Sequence, residues 1–361
     1  MLSEPARRFL HCRSAAWSAV AALTFSGEAH AQADKLEVRL SGQVSRAILR
    51  ADDGGADDWF HVDNSNTSTR FRINADGTVR SGLRAGALLE FDYQSNPSHL
   101  VNFAIRDIPA ELLERHIDVY FSGAWGLVRL GQGDGAAARA AEVDLSGTVV
   151  ALYPNPAVVG GAFAYRTSAG ALSGVTIRNS INNQNFEMRY DRIRYNTPPF
   201  AGLWGAVSSG NKDGLVAEAA LRYAGRFAEG ALAGAIGWSN EKGTAGAMDD
   251  KVVGGSLSWL HASGINLTYA HARRGLPGRD AEFRHFKLGY RWSRHATALD
   301  YAEGADQAAL GDEAKMFAGA YVYSPVDWAE FFAMSKRHTL ERSAASFQAI
   351  HFYMIGTRII F

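Results

Sequence analysis

The residues of this chain able to act on other molecules are fixed charges rather than nucleophiles. Arg39, Arg70, Arg72, Arg84 and Arg129 each lie on the polar face of a segment whose opposite face is apolar, while Asp134, Glu142 and Asp144 gather in one long interval. Opposed charges of this kind hold a field across water, orient dipolar solutes and sort ions by sign; they break no bonds. Signals for bond-making fail on inspection. Leu127 to Ala136 ends in G-x-G-x-x-A, but a dinucleotide site needs that turn inside a βαβ unit, and the flanking pattern is one of short strands. The run Asp52-Asp53-Gly54-Gly55-Ala56-Asp57-Asp58 lacks the spacing of an EF-hand loop. It reads as a solvated loop able to hold divalent cations weakly. The histidines form no H-x-x-x-H pair and the serines no G-x-S-x-G elbow. No catalysis, no metal site and no cofactor is expected.

Strands must position these charges. From Leu36 onward apolar residues alternate with polar or small ones: Leu36, Val38, Leu40 and Val44 against Glu37, Arg39, Ser41 and Gln43; Phe286, Leu288, Tyr290 and Trp292 against His285, Lys287 and Arg291. A period of two gives each strand one apolar and one polar face. The pattern predicts sixteen strands, over 36–50, 69–75, 82–94, 112–122, 127–132, 186–196, 202–208, 215–225, 230–239, 251–261, 265–272, 282–291, 295–303, 315–323, 327–335 and 349–361. Their connections alternate in length. Gly123–Gly126, Ala262–Gly264, Trp292–Arg294 and Ser324–Val326 are short; Ala51–Ser68, Asn240–Asp250 and Gly304–Ala314 are long and polar. Trp125, Trp204, Trp259, Trp292 and Trp328 lie in or near proposed short turns, as amphipathic rings do at a membrane–water interface. The segment ending at Phe361 carries Tyr353, Ile355, Ile359 and Phe361 on one face and Met354, Gly356 and Arg358 on the other.

The N-terminal region reads as an export signal. Arg7, Arg8 and Arg13 precede an apolar run from Ala15 to Phe25, and Ala29-His30-Ala31 gives an A-x-A site. Cleavage after Ala31 leaves residues 32–361 and removes Cys12, the single cysteine. Of 37 basic and 37 acidic residues it also removes three Arg and two Glu, leaving 34 against 35 and a net charge of −1. That balance excludes a nucleic-acid binder, which needs a basic excess. No later stretch approaches the length of a spanning helix, so an exported chain of this pattern crosses a membrane only as a closed barrel. Short turns on one side and long loops on the other are the habit of such barrels, and an even strand count places both mature ends on the periplasmic side.

Several stretches resemble the sixteen-stranded trimeric general porins of Gram-negative bacteria, and they do so in order. Thr69-Arg70-Phe71-Arg72-Ile73 followed by Gly82-Leu83-Arg84-Ala85 resembles the second hairpin of that family. Val119 to Gly123 followed by Gly126 to Gly131 is similar to the hairpin before its constriction loop, and Arg192 to Gly202 to its R-Y-D-S-P turn, with Asn196 and Thr197 in place of Asp and Ser. The resemblance implies an all-β transmembrane antiparallel barrel in the outer membrane, a homotrimer passing small hydrophilic solutes and ions passively. Lipid, lipopolysaccharide and the barrel-assembly machinery are its partners, the last reading the terminal Phe361. It also implies that the third loop, here within 133–185, folds into the lumen. Asp134, Glu142 and Asp144 would form its acidic side, facing a basic wall of Arg39, Arg70, Arg72, Arg84 and Arg129, with Arg192 and Arg194 on the polar face of the sixth strand. Two questions stay open. Ala162–Thr167 and Val175–Arg178 can form a further hairpin, giving eighteen strands and an ordinary connection. The barrel can also be solute-specific, or plugged as an enzyme or adhesin.

Overall fold

The computed structural model describes residues 36–80, 82–244, 247–343 and 345–361; the expected signal segment lies outside them. The strands run in order β1 (Glu37–Asp52), β2 (Asp57–Asp63), β3 (Arg70–Arg80), β4 (Leu83–Gln94), β5 (Glu111–Gly123), β6 (Gly126–Asp134), β7 (Ala164–Arg166) and β8 (Leu172–Thr176). One turn of helix, α1 (Ile177–Ser180), precedes β9 (Arg189–Asn196), β10 (Leu203–Asn211), β11 (Leu215–Phe227), β12 (Gly230–Glu241), β13 (Asp250–His261) and β14 (Ile265–Leu276). Then come β15 (Arg279–Trp292), β16 (His295–Ala305), β17 (Glu313–Val326), β18 (Ala329–Arg342), β19 (Ala345–Ser346) and β20 (Ile350–Ile360).

Sixteen of these close an antiparallel ring, each predicted strand overlapping one of them. The seam pairs β1 with β20, from Gln43 opposite Ile360 to Asp52 opposite His351. Phe361 finishes it: its amide donates to the Gly42 carbonyl at 2.9 Å, and its carbonyl accepts from the Gly42 amide at 2.7 Å. Two expectations need correction. The hairpin β7–β8 forms, but as a separate two-stranded sheet, so it adds nothing to the ring and the eighteen-strand alternative falls. The expected outer loop 51–68 carries β2, which pairs with the outer half of β1 while β3 pairs with the inner half. The second position of the ring is thus one strand broken at Asn64–Thr69.

The faces are inverted relative to a water-soluble protein. Outward positions hold large apolar side chains: Leu257, Leu267, Phe286, Leu288, Leu299, Phe317, Phe331 and Ile355 are each about half exposed. Inward positions of the same strands hold Ser256, Ser258, Asn266, Thr268, His285, Lys287, Asp300 and Lys336, all buried. So broad an apolar band needs a nonaqueous partner, and each such side chain gains about 1.5–3 kcal/mol on leaving water. No helix among the described residues is long and apolar enough to cross a membrane; strands do it here. Trp125, Trp292 and Trp328 are exposed at the short turns, and the Trp259 indole donates to the Phe227 carbonyl at a fourth.

Candidate functional site

The 135–188 segment is not a free loop. Its root is gripped by inward arginines. Arg192, with only 1% of its side chain exposed, sits 2.8 Å from Asp118 and donates to the carbonyls of Gly131 (2.5 Å) and Asp134 (3.1 Å). Arg194 donates to the Asp134 and Gly135 carbonyls (3.2 and 2.8 Å), and Arg222 of β11 to those of Ala136 and Ala138 (3.2 and 2.6 Å). Guanidinium supplies several donors in a fixed fork, which suits it to a turn whose carbonyls have no ladder partner.

From that root the segment travels along the inner wall. The Ala136 amide donates to Ser208 of β10 (2.8 Å) and the Ala137 amide to Glu218 of β11 (3.2 Å). Ser256 and Ser258 of β13 accept from the amides of Val143 (2.8 Å) and Leu145 (2.9 Å). Lys287 of β15 donates to Asp144 and to the Leu152 carbonyl, both at 2.7 Å, and lies 3.3 Å from Asp300. Lys336 of β18 reaches the Pro156 carbonyl at 3.1 Å. At the broken second strand, Asn64 donates to the Val150 carbonyl (2.7 Å) and Asn66 to that of Ala151 (2.9 Å). Irregular backbone at membrane depth survives only when its polar groups are met in this way.

Apolar packing completes the attachment. Phe163 meets Phe103 and Phe352 at ring-centroid distances of 5.2 Å and Phe60 at 5.6 Å, all edge-on. Leu152, Ile177, Ile181, Met316, Ile350 and Met354 are buried around them. Small residues on the wall make room. Gly237 admits Ala137, Ala140 and Phe186, where a Cβ would come within 2.9–3.1 Å of their carbon atoms. Gly160 has φ +79° and faces the Phe352 ring at 2.2 Å from where a Cβ would stand, so neither its backbone nor its space admits a side chain.

The segment therefore hydrogen-bonds along the wall from β9 to β18 and on to the strand break, and its bonds bypass β3, β4 and β5 among the described residues. Arg70, Arg72, Arg84 and Arg129 are inward on β3 to β6, Arg84 at the rim beside the β3–β4 turn, opposite Thr78 and Ser122. Arg84 and Arg72 keep 59% and 47% of their side chains exposed, whereas the carboxylates holding them stand behind: Arg72 pairs with Glu90, itself 2% exposed, and Arg129 lies 2.9 Å from fully buried Asp118 and over the Tyr120 ring. Arg115 joins this wall, contacting Glu90 (2.6 Å) and Asp92 (2.7 Å). It escaped the parity reading because the β4–β5 register shifts between Glu90 and Phe91, so Arg115 and His116 break the alternation. Arg222 did have a signal, since Leu221 and Tyr223 flank it in β11.

The other sequence-predicted residues lie elsewhere. Arg39 faces inward but pairs at 2.7 Å with Glu37 at the far end of β1, where both are exposed. Asp134 is on the arginine side, 3.6 to 3.9 Å from Arg139, His116 and Arg189. Glu142 is turned into the loop, accepting from Tyr153, Asn183 (2.6 Å) and Asn185 (3.0 Å), and its burial pushes its pKa up. Asp144 is taken by Lys287. In the acidic run, Asp53, Asp57 and Asp58 pair with Arg166, Arg50 and Arg106. No cluster of three metal-ligating side chains occurs among the described residues. The strand after the G-x-G-x-x-A turn returns antiparallel, as β9 on β6, so that turn does not open a dinucleotide-binding unit.

The sequence model of one protein family, described as Gram-negative porin, matches residues 16–326. Similar solved structures include the anion-selective porin from Comamonas acidovorans, with TM-score 0.65 and 16% identity, covering 91% of this chain and 100% of that one. OmpF of Salmonella typhi in complex with daunomycin gives TM-score 0.61 and 12% identity over 90% and 97% of the two chains. The trimer form of OmpT, an outer membrane protein of Vibrio cholerae, gives 0.60 and 13% over 91% and 100%. At these identities the likeness is one of fold. No curated protein sequence matches.

Proposed function

Because the chain belongs to the Gram-negative porin family, and is an outer-membrane β-barrel channel for passive diffusion of small hydrophilic solutes and ions rather than an enzyme, we propose that its passage runs between the β3–β6 arginines and the 135–188 segment, and that it prefers anions. One observation carries this reading. Arg72 keeps about half of its side chain in water and Arg129 a quarter, while the acids nearby are withdrawn further: Glu90 and Asp118 behind them, Glu142 inside the loop, Asp144 on Lys287. A narrow aqueous pore selects by the sign of the charge its solute meets. The near-neutral total charge of the chain is compatible with this, because placement decides. Arg70, Arg72 and Arg129 form the basic side of the constriction, with Arg139 of the loop and Asp134 beside them; Arg39 and Arg84 act at the rim, where the register sets Arg84 opposite Thr78 and Arg39 opposite Asn74. The Comamonas acidovorans neighbour, itself an anion-selective porin, favours the same sign.

Four further elements belong to this reading. Residues 1–31 direct export and are removed. The barrel assembles as a homotrimer, in line with the trimer form of one structural neighbour. Lipopolysaccharide surrounds its outer rim, and the assembly machinery reads Phe361. Reconstituted protein in planar bilayers is expected to give ohmic single-channel steps and, in a KCl gradient, a reversal potential of the sign set by chloride. A potential set by potassium overturns the anion preference. Absence of steps identifies a plugged barrel.

A further inference from the structure

A second basic site stands apart from the arginine wall, at the outer end of the lumen. A cavity of about 720 Å³ lies between the far arm of the inserted segment and the outer ends of β14, β15 and β18. Arg178, Asn179 and Asn182 line it from the segment, and Arg274, Arg279 and Arg342 from the strands; no acid lines it among the described residues. Two of these guanidiniums are neutralised. Arg274 pairs with Asp250, and Arg342 forks onto Asp312 at 2.5 and 2.6 Å. The other two meet uncharged groups. Arg279 donates to the carbonyls of Asp306 (2.8 Å), Gln307 (3.2 Å) and Ala308 (3.4 Å), and Arg178 to that of His99 (3.1 Å). Burial pushes the pKa of Arg178 down, with no carboxylate opposing it. Four positive charges against two negative leave a preformed concavity with a net charge of +2.

Its geometry is fixed in advance. The Asn182 amide donates to the Gln307 side-chain oxygen at 2.8 Å, and the Gln307 amide nitrogen donates back to the Asn182 carbonyl at 3.0 Å, tying the segment to the β16–β17 loop. Preorganised donors lose little freedom on binding, and a guanidinium fork matches the oxygens of a carboxylate or a phosphate. We propose that this cavity is a binding subsite for small solutes bearing an oxyanion, which it collects before they reach the arginine wall. The proposal rests on the lumen being an open, anion-preferring passage, and it adds the class of solute.

The test is single-channel current through the reconstituted protein in KCl, with inorganic phosphate or succinate added at constant ionic strength. Chloride current is expected to fall saturably with at least one of them, the two arms separating phosphate from carboxylate recognition. Arg178→Gln should raise the half-saturating concentration about tenfold while KCl steps persist and the reversal potential keeps its chloride sign. Arg178 donates one hydrogen bond, to a carbonyl, so this variant folds even where Arg279→Gln does not; Arg178→Lys should keep part of the effect. A response that never saturates in the wild type, or equal half-saturation in Arg178→Gln, overturns the subsite. Absent KCl conductance, or a potassium-signed potential, instead overturns the reading on which the subsite rests.

Discussion

Between β3 and β6 the inward side chains are arginines with buried carboxylates at their backs and water in front. From β13 round to β1 they are alanine, serine, methionine and aromatic carbon, with the inserted segment in front. Both stretches have the same pleat and nearly the same outward face, yet they are built by different physics. On the arginine side Arg72 and Arg84 keep about half of their side chains in water, Arg129 a quarter and Arg115 a tenth, and the pairs are held by geometry. On the covered side water is excluded, contacts are close-packed, and Lys287, Asp144 and Asp300 are fully buried and interlocked, with Lys336 buried on a carbonyl. A guanidinium in water at the first surface costs little to move; a lysine in the second is fixed by the charges around it.

Four substitutions or conditions can break or sharpen this contrast. The largest effect is expected from Phe163→Ala, which removes the ring joining Phe60, Phe103 and Phe352. A loss of about 3–5 kcal/mol, read from urea unfolding, should come with noisier, larger conductance as the segment loosens. Lys287→Ala should cost a similar amount, about 3–5 kcal/mol, because Asp144 is left as a buried anion without its ion pair and Asp300 keeps only the imidazole of His285, 2.5 Å away; Arg72→Ala should cost below about 1 kcal/mol. Equal costs at these two positions would erase the distinction between the surfaces. Next, Arg72→Ala with Arg129→Ala should leave stability nearly unchanged and move the permeability ratio several-fold toward cations, whereas Arg84→Ala, beside the β3–β4 turn, should not. Each charge acts across water with about 1 kcal/mol at contact distance. Arg39→Ala, at the rim beside Glu37, should leave that ratio where it was.

The smallest effect is a pH dependence in the loop at 95–110. His99, hydrogen-bonded to Ser65 and facing Arg178, has its pKa pushed down to about 4, chiefly by burial. A base whose folded pKa lies below its ordinary value near 6.5 binds its proton more tightly when unfolded. Its contribution is therefore whole above about pH 6.5 and is lost as the pH falls from there through about 4, a change on the order of 1–2 kcal/mol. Once exchange is corrected for its intrinsic pH dependence, the protection of amides in 95–110 should fall across that window in the wild type and stay flat in His99→Gln.

The ring was legible because lipid on one side and water on the other imprint a strict alternation, and sixteen predicted segments each found their strand. Ends were misjudged where that imprint stops. The break expected over 273–281 shrinks to two residues because β14 and β15 continue past the hydrocarbon, where Arg273, Arg274 and Arg279 still pair along the ladder but no longer need to alternate. The inward direction of the wall arginines followed from parity. Height along the barrel did not, which is why Arg39 and Arg84 have the right face and stand at the rim. Least legible was the inserted segment. Val150, Leu152, Val159, Phe163 and Tyr165 follow no period, since an irregular chain buries whatever its path brings to the wall. Nothing in the sequence says that Glu142 turns inward to Asn183 or that Asp144 meets a lysine 143 residues later.

The seam between β1 and β20 has a temporal consequence. The earliest strand in the ring takes its hydrogen-bond partner from the latest, so Gln43 and Ile360 cannot meet until everything between them exists. Contacts so remote in sequence are slow to form. Until they do, both margins of the sheet offer unpaired amides and carbonyls, inviting the wrong neighbour. A nascent chain of this design must be shielded along its two open margins for as long as its synthesis and delivery last.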